Sequence, residues 1–528
     1  MILCAFGSLI SAIITGYFAA NVAANLGRNL RKSVFYKVQN FGMEEIKKFS
    51  TSSLITRTTN DVTQVQTLVA TGLQLLIKAP IMAIWAVIKI AGKSFAWSAI
   101  TGGAVILLII INAILIIIAL PKFKIVQKLT DKLNRITREN LTGIRVIRAY
   151  NAEDYQQNKF EGVNEEVTSV NAFTQKMMAI LNPSMQFIMS ALTLAIYFSG
   201  ALIIQNAGLA DKITLFSDMV VFSSYAMQVV MAFMMLTMIF IIYPRANVSA
   251  KRIAEVLNTS INIKDGKLEN PKVKETGTVE FKNVSFKYPD AEEYMLHDIS
   301  FKANKGETIA FIGSTGSGKS TLVNLIPRFY DVTKGEVLVD GINVKEYKQK
   351  ELYNKLGYIS QKPVMFSGTV NENVSYGSNG KPKPSQSKIK EAIAVAQGTE
   401  FVEKMSDQYE THIAQGGTNI SGGQKQRLSI ARAIVRKPEI YIFDDSFSAL
   451  DYKTDKNLRK DLKAYTKDAT TLIVAQRIGT IKDADRIIVL DNGRIVGNGT
   501  HEELLKTSKV YQEIALSQLS KEELENGR

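Results

Sequence analysis

The stretch Thr308-Ile-Ala-Phe-Ile-Gly313-Ser-Thr-Gly-Ser-Gly318-Lys319-Ser320-Thr321 decides the fold of the second half of this 528-residue chain. An apolar run over 308–312 leads into a glycine-rich turn, and a helical pattern follows over 321–326. Fixed glycines followed by Lys-Ser are the P-loop spacing, here in its required strand–loop–helix context. Glycine lets backbone N–H groups face phosphate oxygens, and the helix N-terminus adds a favourable dipole. Lys319 is spaced to reach the β- and γ-phosphates, and Ser320 to ligate Mg²⁺. ATP or GTP is the expected ligand, held by Gly313, Ser314, Thr315, Gly316, Ser317, Gly318, Lys319, Ser320 and Thr321.

Around this motif, short β-branched and aromatic runs (278–286, 439–443, 471–474 and 486–490) alternate with helical patterns. That alternation predicts an α/β unit, a parallel sheet with helices on its faces. Residues 440–445 read Ile-Tyr-Ile-Phe-Asp-Asp, a buried-strand run ending in two carboxylates. A carboxylate at such a strand end beside a P-loop is where Mg²⁺ is held, which singles out Asp444. Upstream lies Ser421-Gly422-Gly423-Gln424, a common loop by itself. Between a P-loop about 100 residues earlier and paired carboxylates about 20 later, it becomes specific.

The first 250 residues have another character. Apolar stretches occur at roughly 1–25, 68–92, 95–120, 183–207 and 217–243, each near the roughly 20 residues that cross a bilayer as a helix. The run 104–120 has Asn112 as its only strongly polar residue, which excludes an ordinary soluble core and predicts a membrane α-helical bundle. The connector 26–67 carries Arg28, Arg31, Lys32, Lys37, Lys47, Lys48 and Arg57, and the connector 121–182 carries ten Lys or Arg. The other two have little beyond Lys93 and Lys212. Lys and Arg concentrate in cytoplasmic loops, so both long connectors and everything after 243 are expected inside. The long connectors are expected to run as helices that reverse near 48–54 and 144–153, natural contact points for a cytoplasmic domain. Pro244 is expected to end the last span, with a basic helix over 249–257 and a polar linker beyond.

Composition supports this division. The net charge of +15 is largely a topology signal, which removes the main support for nucleic-acid binding. One cysteine, Cys4, excludes a disulfide framework, and three scattered histidines leave little for a histidine-built metal centre. The expected domains are 1–250 in the membrane, 251–276 as linker and 277–528 as nucleotide-binding domain.

With these motifs in place the chain resembles an ATP-binding cassette exporter half, a helical membrane domain ahead of a nucleotide-binding domain. The resemblance covers nearly the whole length. It rests on the P-loop, Gln361 in Tyr-Ile-Ser-Gln, the Ser421–Gln424 signature, the carboxylate strand and Ser448-Ala-Leu-Asp451. It implies that two cassettes pair head to tail, each ATP lying between one P-loop and the other's signature. It further implies that Tyr288 stacks on adenine, that Gln361 senses Mg²⁺ and couples to the membrane helices, and that Ser448 and Asp451 form the loop after the carboxylates. The family's six spans per half make the five here suggest a missing first span.

The departures from the family pattern are informative. The position after the Mg²⁺-binding aspartate, where the family has a glutamate that polarises the attacking water, is Asp445. The position of the family's γ-phosphate-contacting histidine is Gln476. Ala414-Gln415-Gly416-Gly417 also departs from the family's pattern, whereas the signature stays near consensus with Ile420 for leucine. The resemblance thus implies a heterodimer in which this chain carries a weakly hydrolytic site and lends its signature to a competent one. A homodimer with two slow sites is the competing reading, and an ATP-gated channel or sensor is the competing function class.

Membrane segments fused ahead of the cassette favour export of amphipathic or hydrophobic small molecules across a bacterial cell membrane. Met227, Met231, Met234, Met235 and Met238 crowd the last span, and methionine surfaces adapt to varied ligands. Ordinary packing accounts for most of them. Lys78, Lys89 and Asp218 are charged residues in or near spans, and none is assigned to substrate.

Overall fold

The computed structural model describes residues 2–518 except 270 and 272. The chain divides into two compact units, one of Met1–Gln39 and Thr51–Asn258, the other of Asn40–Ser50 and Thr259–Arg528.

The first unit is entirely helical. Its elements are α1 (Ile2–Gln39), α3 (Thr51–Thr56), α4 (Val62–Ile90), α5 (Phe95–Ala149), α6 (Glu153–Ala179), α7 (Leu181–Gln205) and α8 (Lys212–Asn258). The eleven-residue segment between α1 and α3, which contains α2 (Met43–Phe49), folds with the other unit. Among the described residues five helical runs are long and apolar enough to cross a membrane: Ile2–Gln39, Thr51–Ile90, Phe95–Ala149, Glu153–Gln205 and Lys212–Asn258. These are the five runs expected from hydropathy. The 55-residue α5 extends about 80 Å at 1.5 Å per residue, far more than the hydrocarbon core of about 30 Å.

The expected stop at Pro244 is not observed. Pro244 lies inside α8, as Pro121 lies inside α5. A proline removes one helical hydrogen bond, and in membrane helices packing by neighbours tolerates that loss. The second long connector reverses at Tyr150–Ala152, as predicted.

Burial on α7 recurs at Met185, Ile188, Leu192, Ile196 and Gly200, a single helical stripe. Ile188, Leu192 and Ile196 of this stripe belong to a core with Trp97, Leu108, Phe222, Ala226 and Val230. Trp97 and Phe222 pack with ring centroids 5.4 Å apart. A Cβ on Gly200 would lie 2.3 Å from the Met219 sulfur, so glycine is what lets α7 and α8 approach there. Asn112 is buried in α5 and returns its amide to the Leu108 carbonyl at 2.9 Å, which lowers the cost of a polar group at that depth.

The second unit is α/β. Its main sheet has six strands: β3 (Thr308–Gly313), β6 (Leu356–Ile359), β9 (Ile440–Asp444), β10 (Thr470–Val474), β11 (Arg486–Asp491) and β12 (Arg494–Gly499). Their order is β12-β11-β3-β10-β9-β6, parallel except for β12. An antiparallel sheet of β1 (Val279–Phe286), β2 (Leu296–Ala303), β4 (Lys334–Val339) and β5 (Ile342–Asn343) accompanies it in the order β2-β1-β4-β5. A third, two-stranded pair joins β7 (Gly368–Thr369) to β8 (His412–Ile413). Central strands such as β9 and β10 are buried at every position, as a sheet covered on both faces requires. The polar stretch before β1 is partly strapped down, because Gly266 and Leu268 donate to the carbonyls of Tyr347 and Glu346.

Segment Asn40–Ser50 packs as part of this unit. Glu45 accepts from the Asn262 backbone N–H at 3.0 Å, and Glu44 from the Asn262 side chain at 2.8 Å. Phe41 and Phe49, both buried, stack at 5.8 Å.

Candidate nucleotide site

Parallel pairing aligns the carboxyl ends of four strands. Val474 pairs with Phe311 on one side and Asp444 on the other, and Ile359 pairs with Phe443. The residues just beyond those ends (the P-loop, Gln361, Asp445 and Gln476) are therefore gathered at one edge, where open α/β sheets bind ligands.

The P-loop runs from the end of β3 into α9 (Lys319–Leu325). Gly318 adopts φ +96°, and a Cβ there would press to 2.7 Å from Leu296. A Cβ on Gly313 would meet the Leu490 carbonyl oxygen at 2.0 Å. The loop is thus closed to side chains on its inner face while Thr315 and Gly316 stay exposed. Ser317 is buried, and its N–H donates to Ser314 at 3.2 Å. Lys319 Nζ donates to the carbonyls of Gly313 at 2.8 Å and Ser314 at 2.7 Å, and to Ser317 Oγ at 3.3 Å. Burial holds its pKa below the usual lysine value, against the opposing pull of Asp445 and Asp444.

Ser320 Oγ donates to Asp444 Oδ1 at 2.6 Å, which brings two of the predicted Mg²⁺ ligands together. Tyr358, whose role was not read from sequence, donates to Asn324 at 2.9 Å and lies 3.4 Å from Asp444 Oδ2. Burial raises the Asp444 pKa, with Ser320 acting in the opposite direction. These oxygens suit a Mg²⁺–nucleotide, since Mg²⁺ takes one or two carboxylates and completes its octahedron with phosphates and water. Among the described residues no group of three or more His, Cys, Asp or Glu gathers as an all-protein cage.

Asp445 is the pivot of the site. It sits in the left-handed region at φ +48°, which Asp tolerates better than most residues. Its backbone N–H donates to the Val474 carbonyl. Gln361 Nε2 at 3.1 Å and Gln476 Nε2 at 2.7 Å both donate to its Oδ2. Burial pushes its pKa up, and the two amides and Lys319 pull it down. Both departures from the family pattern therefore meet in one hydrogen-bonded bracket. Ser448 adds a bond to the Asp445 carbonyl at 3.0 Å.

Tyr288 is held by its hydroxyl against Thr321 Oγ1 at 3.0 Å and edge-on to Phe286 and Tyr330. Lys47 Nζ, from the α2 segment, lies 4.9 Å from its ring centroid. No sequence signal pointed to that cation–π contact, because its partners are over 200 positions apart.

The signature residues form a different construction. Ser421 caps the helix Gly422–Ile434: its Oγ accepts from the Gln424 N–H at 3.3 Å, and its N–H donates to Gln424 Oε1 at 2.8 Å. Ser421 and Gly422 are exposed at the positive end of that helix, an arrangement suited to phosphate. Among the described residues no hydrogen bond joins them to the P-loop cluster. Asp451 caps the next helix through Thr454, and that bond keeps its pKa low.

Residues 296–448 match the family described as ABC transporter, and residues 1–233 match the ABC transporter transmembrane region. An uncharacterized ABC transporter ATP-binding protein of Mycobacterium tuberculosis (strain H37Rv) is 40% identical over 98% of this chain and 87% of its own length. An ATP-dependent lipid A-core flippase of Pseudomonas savastanoi pv. phaseolicola is 30% identical over 95% and 82% respectively. The structure of a bacterial Atm1-family ABC exporter with ATP bound superposes with a TM-score of 0.79. That match is 24% identical and covers 98% of this chain and 90% of the other, which establishes the fold. The chain belongs to the ABC transporters, as a transmembrane region and an ABC ATP-binding domain in one polypeptide. It is a multi-pass plasma-membrane protein with a cytoplasmic ABC domain that couples ATP hydrolysis to transport.

Proposed function

We propose that this chain is one half of a heterodimeric exporter of amphipathic or hydrophobic small molecules, with a weakly hydrolytic ATP site of its own and a signature that completes its partner's site. The membrane domain is read as 1–250, the linker as 251–276 and the cassette as 277–528. In this reading Lys319 contacts the β- and γ-phosphates, Ser320, Asp444 and Gln361 hold Mg²⁺, and Tyr288 supports the base. ATP bound there would act mainly as a fastener between the two cassettes.

The observation that carries the reading is the bracket on Asp445. A general base must present a free oxygen to the attacking water. Here both amides hold Oδ2 of a side chain already one methylene shorter than glutamate, which limits how far its other oxygen can advance toward that water. Neither amide can carry the positive charge that an imidazolium would bring to the γ-phosphate.

For substrate class, the support lies in α7. Gln186, Ser190, Thr193 and Tyr197 recur on one helix face and border a cavity of about 340 Å³ with Met189, Leu194 and Met227. Phe187, Leu194 and Phe198 project from the neighbouring face and are 67–71% exposed. Uncharged polar groups at bilayer depth belong against protein or a water-filled path rather than lipid. A wall of neutral hydrogen-bonding groups and methionine suits a molecule with an apolar body and a polar end. The lipid A-core flippase among the relatives moves an amphiphile by name, in keeping with that class.

The test is ATP-dependent uptake of a fluorescent amphiphile into inverted vesicles carrying this chain with and without a co-expressed second half-transporter. Uptake only with the second chain supports the proposal. Brisk, vanadate-sensitive ATP turnover by a verified homodimer of this chain overturns the heterodimer reading.

A further inference from the structure

Between α3 and α4 the helix takes a π turn over Arg57–Asp61. Such turns add a residue to one helical turn and re-aim the side chains around it, frequently at functional positions. Here the two charged ends of the turn are both buried, with Arg57 9% and Asp61 5% exposed. Arg57 Nη1 donates to the Glu255 carboxylate and to the Arg252 carbonyl of α8, each at 2.7 Å, and its Nε reaches Ser53 at 3.2 Å. Asp61 Oδ1 accepts from Ser249 Oγ at 2.8 Å, and its Oδ2 lies 3.4 Å from Arg252 Nε. That last contact is an ion pair without hydrogen-bond geometry. Opposite charges therefore alternate across the α4–α8 seam: Glu255 with Arg57, Arg252 with Asp61.

Cohesion does not require this cluster. Val62, Ala246, Ile253 and Val256 are buried along the same helices, whereas Glu255 and Arg252 stay 51% and 39% exposed; ion pairs contribute little to stability when exposed and often less than apolar residues of the same volume when buried. Their best-attested use is to fix one register.

The position in the chain says what the register serves. The two units are joined at three peptide links: Gln39–Asn40, Ser50–Thr51 and Asn258–Thr259. Arg57 lies seven residues after the second, and Glu255 four residues before the third. Two of the three links thus enter the helical unit on either side of the cluster.

We propose that Arg57, Asp61, Arg252 and Glu255 form a registry clamp that makes these two links move as one lever and so positions the helices for coupled transport. The clamp is independent of substrate class and of the identity of the second subunit. Without it, α8 and the segment entering α4 slide separately, and ATP turnover continues while the stroke is lost.

The assembled transporter in liposomes, assayed for ATP hydrolysis and ethidium movement, provides the test. Arg57→Ala and the near-isosteric Asp61→Asn should each keep hydrolysis within about twofold while transport per ATP falls about tenfold, the scale of a coupling residue. Arg57→Lys should retain most of the coupling. Arg57→Ala combined with Glu255→Gln should be no worse than Arg57→Ala alone, since both remove one interaction.

A second readout, maleimide labelling of Leu209→Cys in a Cys4→Ser background, uses the 90% exposed residue between α7 and α8. ATP should change the labelling rate in the otherwise unaltered chain and not in the clamp variants. An unchanged transport-to-hydrolysis ratio, a parallel loss of both, or an equal labelling response in the variants overturns the clamp. If the unaltered transporter does not move ethidium, the substrate reading fails alone and the labelling decides the clamp.

Discussion

Replacing Asp445 with glutamate restores the family's residue, yet the structure predicts little recovery from that change alone. The added methylene advances the carboxylate toward the attacking water, and correcting a misplacement of about 1 Å is worth on the order of 100-fold. The bracket opposes it. Gln361 and Gln476 donate to the same oxygen at 3.1 and 2.7 Å, and will follow a carboxylate that stays near them. Hydrogen bonds to a charged group contribute about 1.5–3 kcal/mol each. If the bracket-bound orientation keeps an advantage of about 2 kcal/mol, only about one carboxylate in 30 faces the water. The gain for Asp445→Glu is then about threefold, and most of the 100-fold returns only when Gln476→His removes one amide and supplies the charge. Single-turnover release of labelled phosphate, with the partner's P-loop lysine replaced, measures this site alone. A gain near 100-fold from Asp445→Glu by itself would refute the idea that the two amides restrain the carboxylate.

Further outcomes follow from the same geometry. Lys319→Ala removes the ammonium proposed to contact the phosphates and should weaken binding of a fluorescent ATP analogue by at least about tenfold, whereas unchanged affinity would exclude the role given to it. Gly423→Asp sets an anion at the exposed end of the signature helix. It should cut ATP turnover of the assembled pair to below about a tenth, read as steady-state phosphate release; full activity would mean that this signature faces no nucleotide. His501 bonds Tyr511 at 2.6 Å, and burial followed by Lys482 holds its pKa below the ordinary 6.5. The unfolded chain therefore binds a proton near pH 6.5 that the folded one refuses. Stability is full above that pH and falls as pH drops below it. His501→Gln should flatten the fall in Tm between pH 7 and 5.5, and an unaltered slope would assign the effect elsewhere.

What sequence could reveal was set by locality. The P-loop, the carboxylate strand and the five apolar runs are contiguous patterns, and each was found where the structure places it. The strands β3, β9, β10 and β11 were legible because buried parallel strands read as unbroken apolar runs, and the antiparallel β1 because its β-branched and aromatic residues stand out. Pro244 misled because a proline ends most water-exposed helices, while packed membrane helices absorb it. The Asp445 bracket was half legible: both deviant residues stood out, but their convergence on one oxygen depends on strand register. Arg57 and Glu255, 198 positions apart, gave no signal, since a basic connector reads as topology and a helix end as solvated charge.

The folding of Asn40–Ser50 with the second unit has a consequence for how the protein is made. The segment leaves the ribosome more than 200 residues before most of the unit it completes. At about 5–20 residues per second, that interval is roughly 10–45 s. Throughout it Phe41 and Phe49, buried in the finished structure, have nowhere to dock. The short α2 helix cannot persist alone at seven residues. The newborn chain thus carries an unsatisfied apolar tip until at least the second half of synthesis. Truncation before the cassette is complete should leave that tip as an early target for chaperones and membrane proteases.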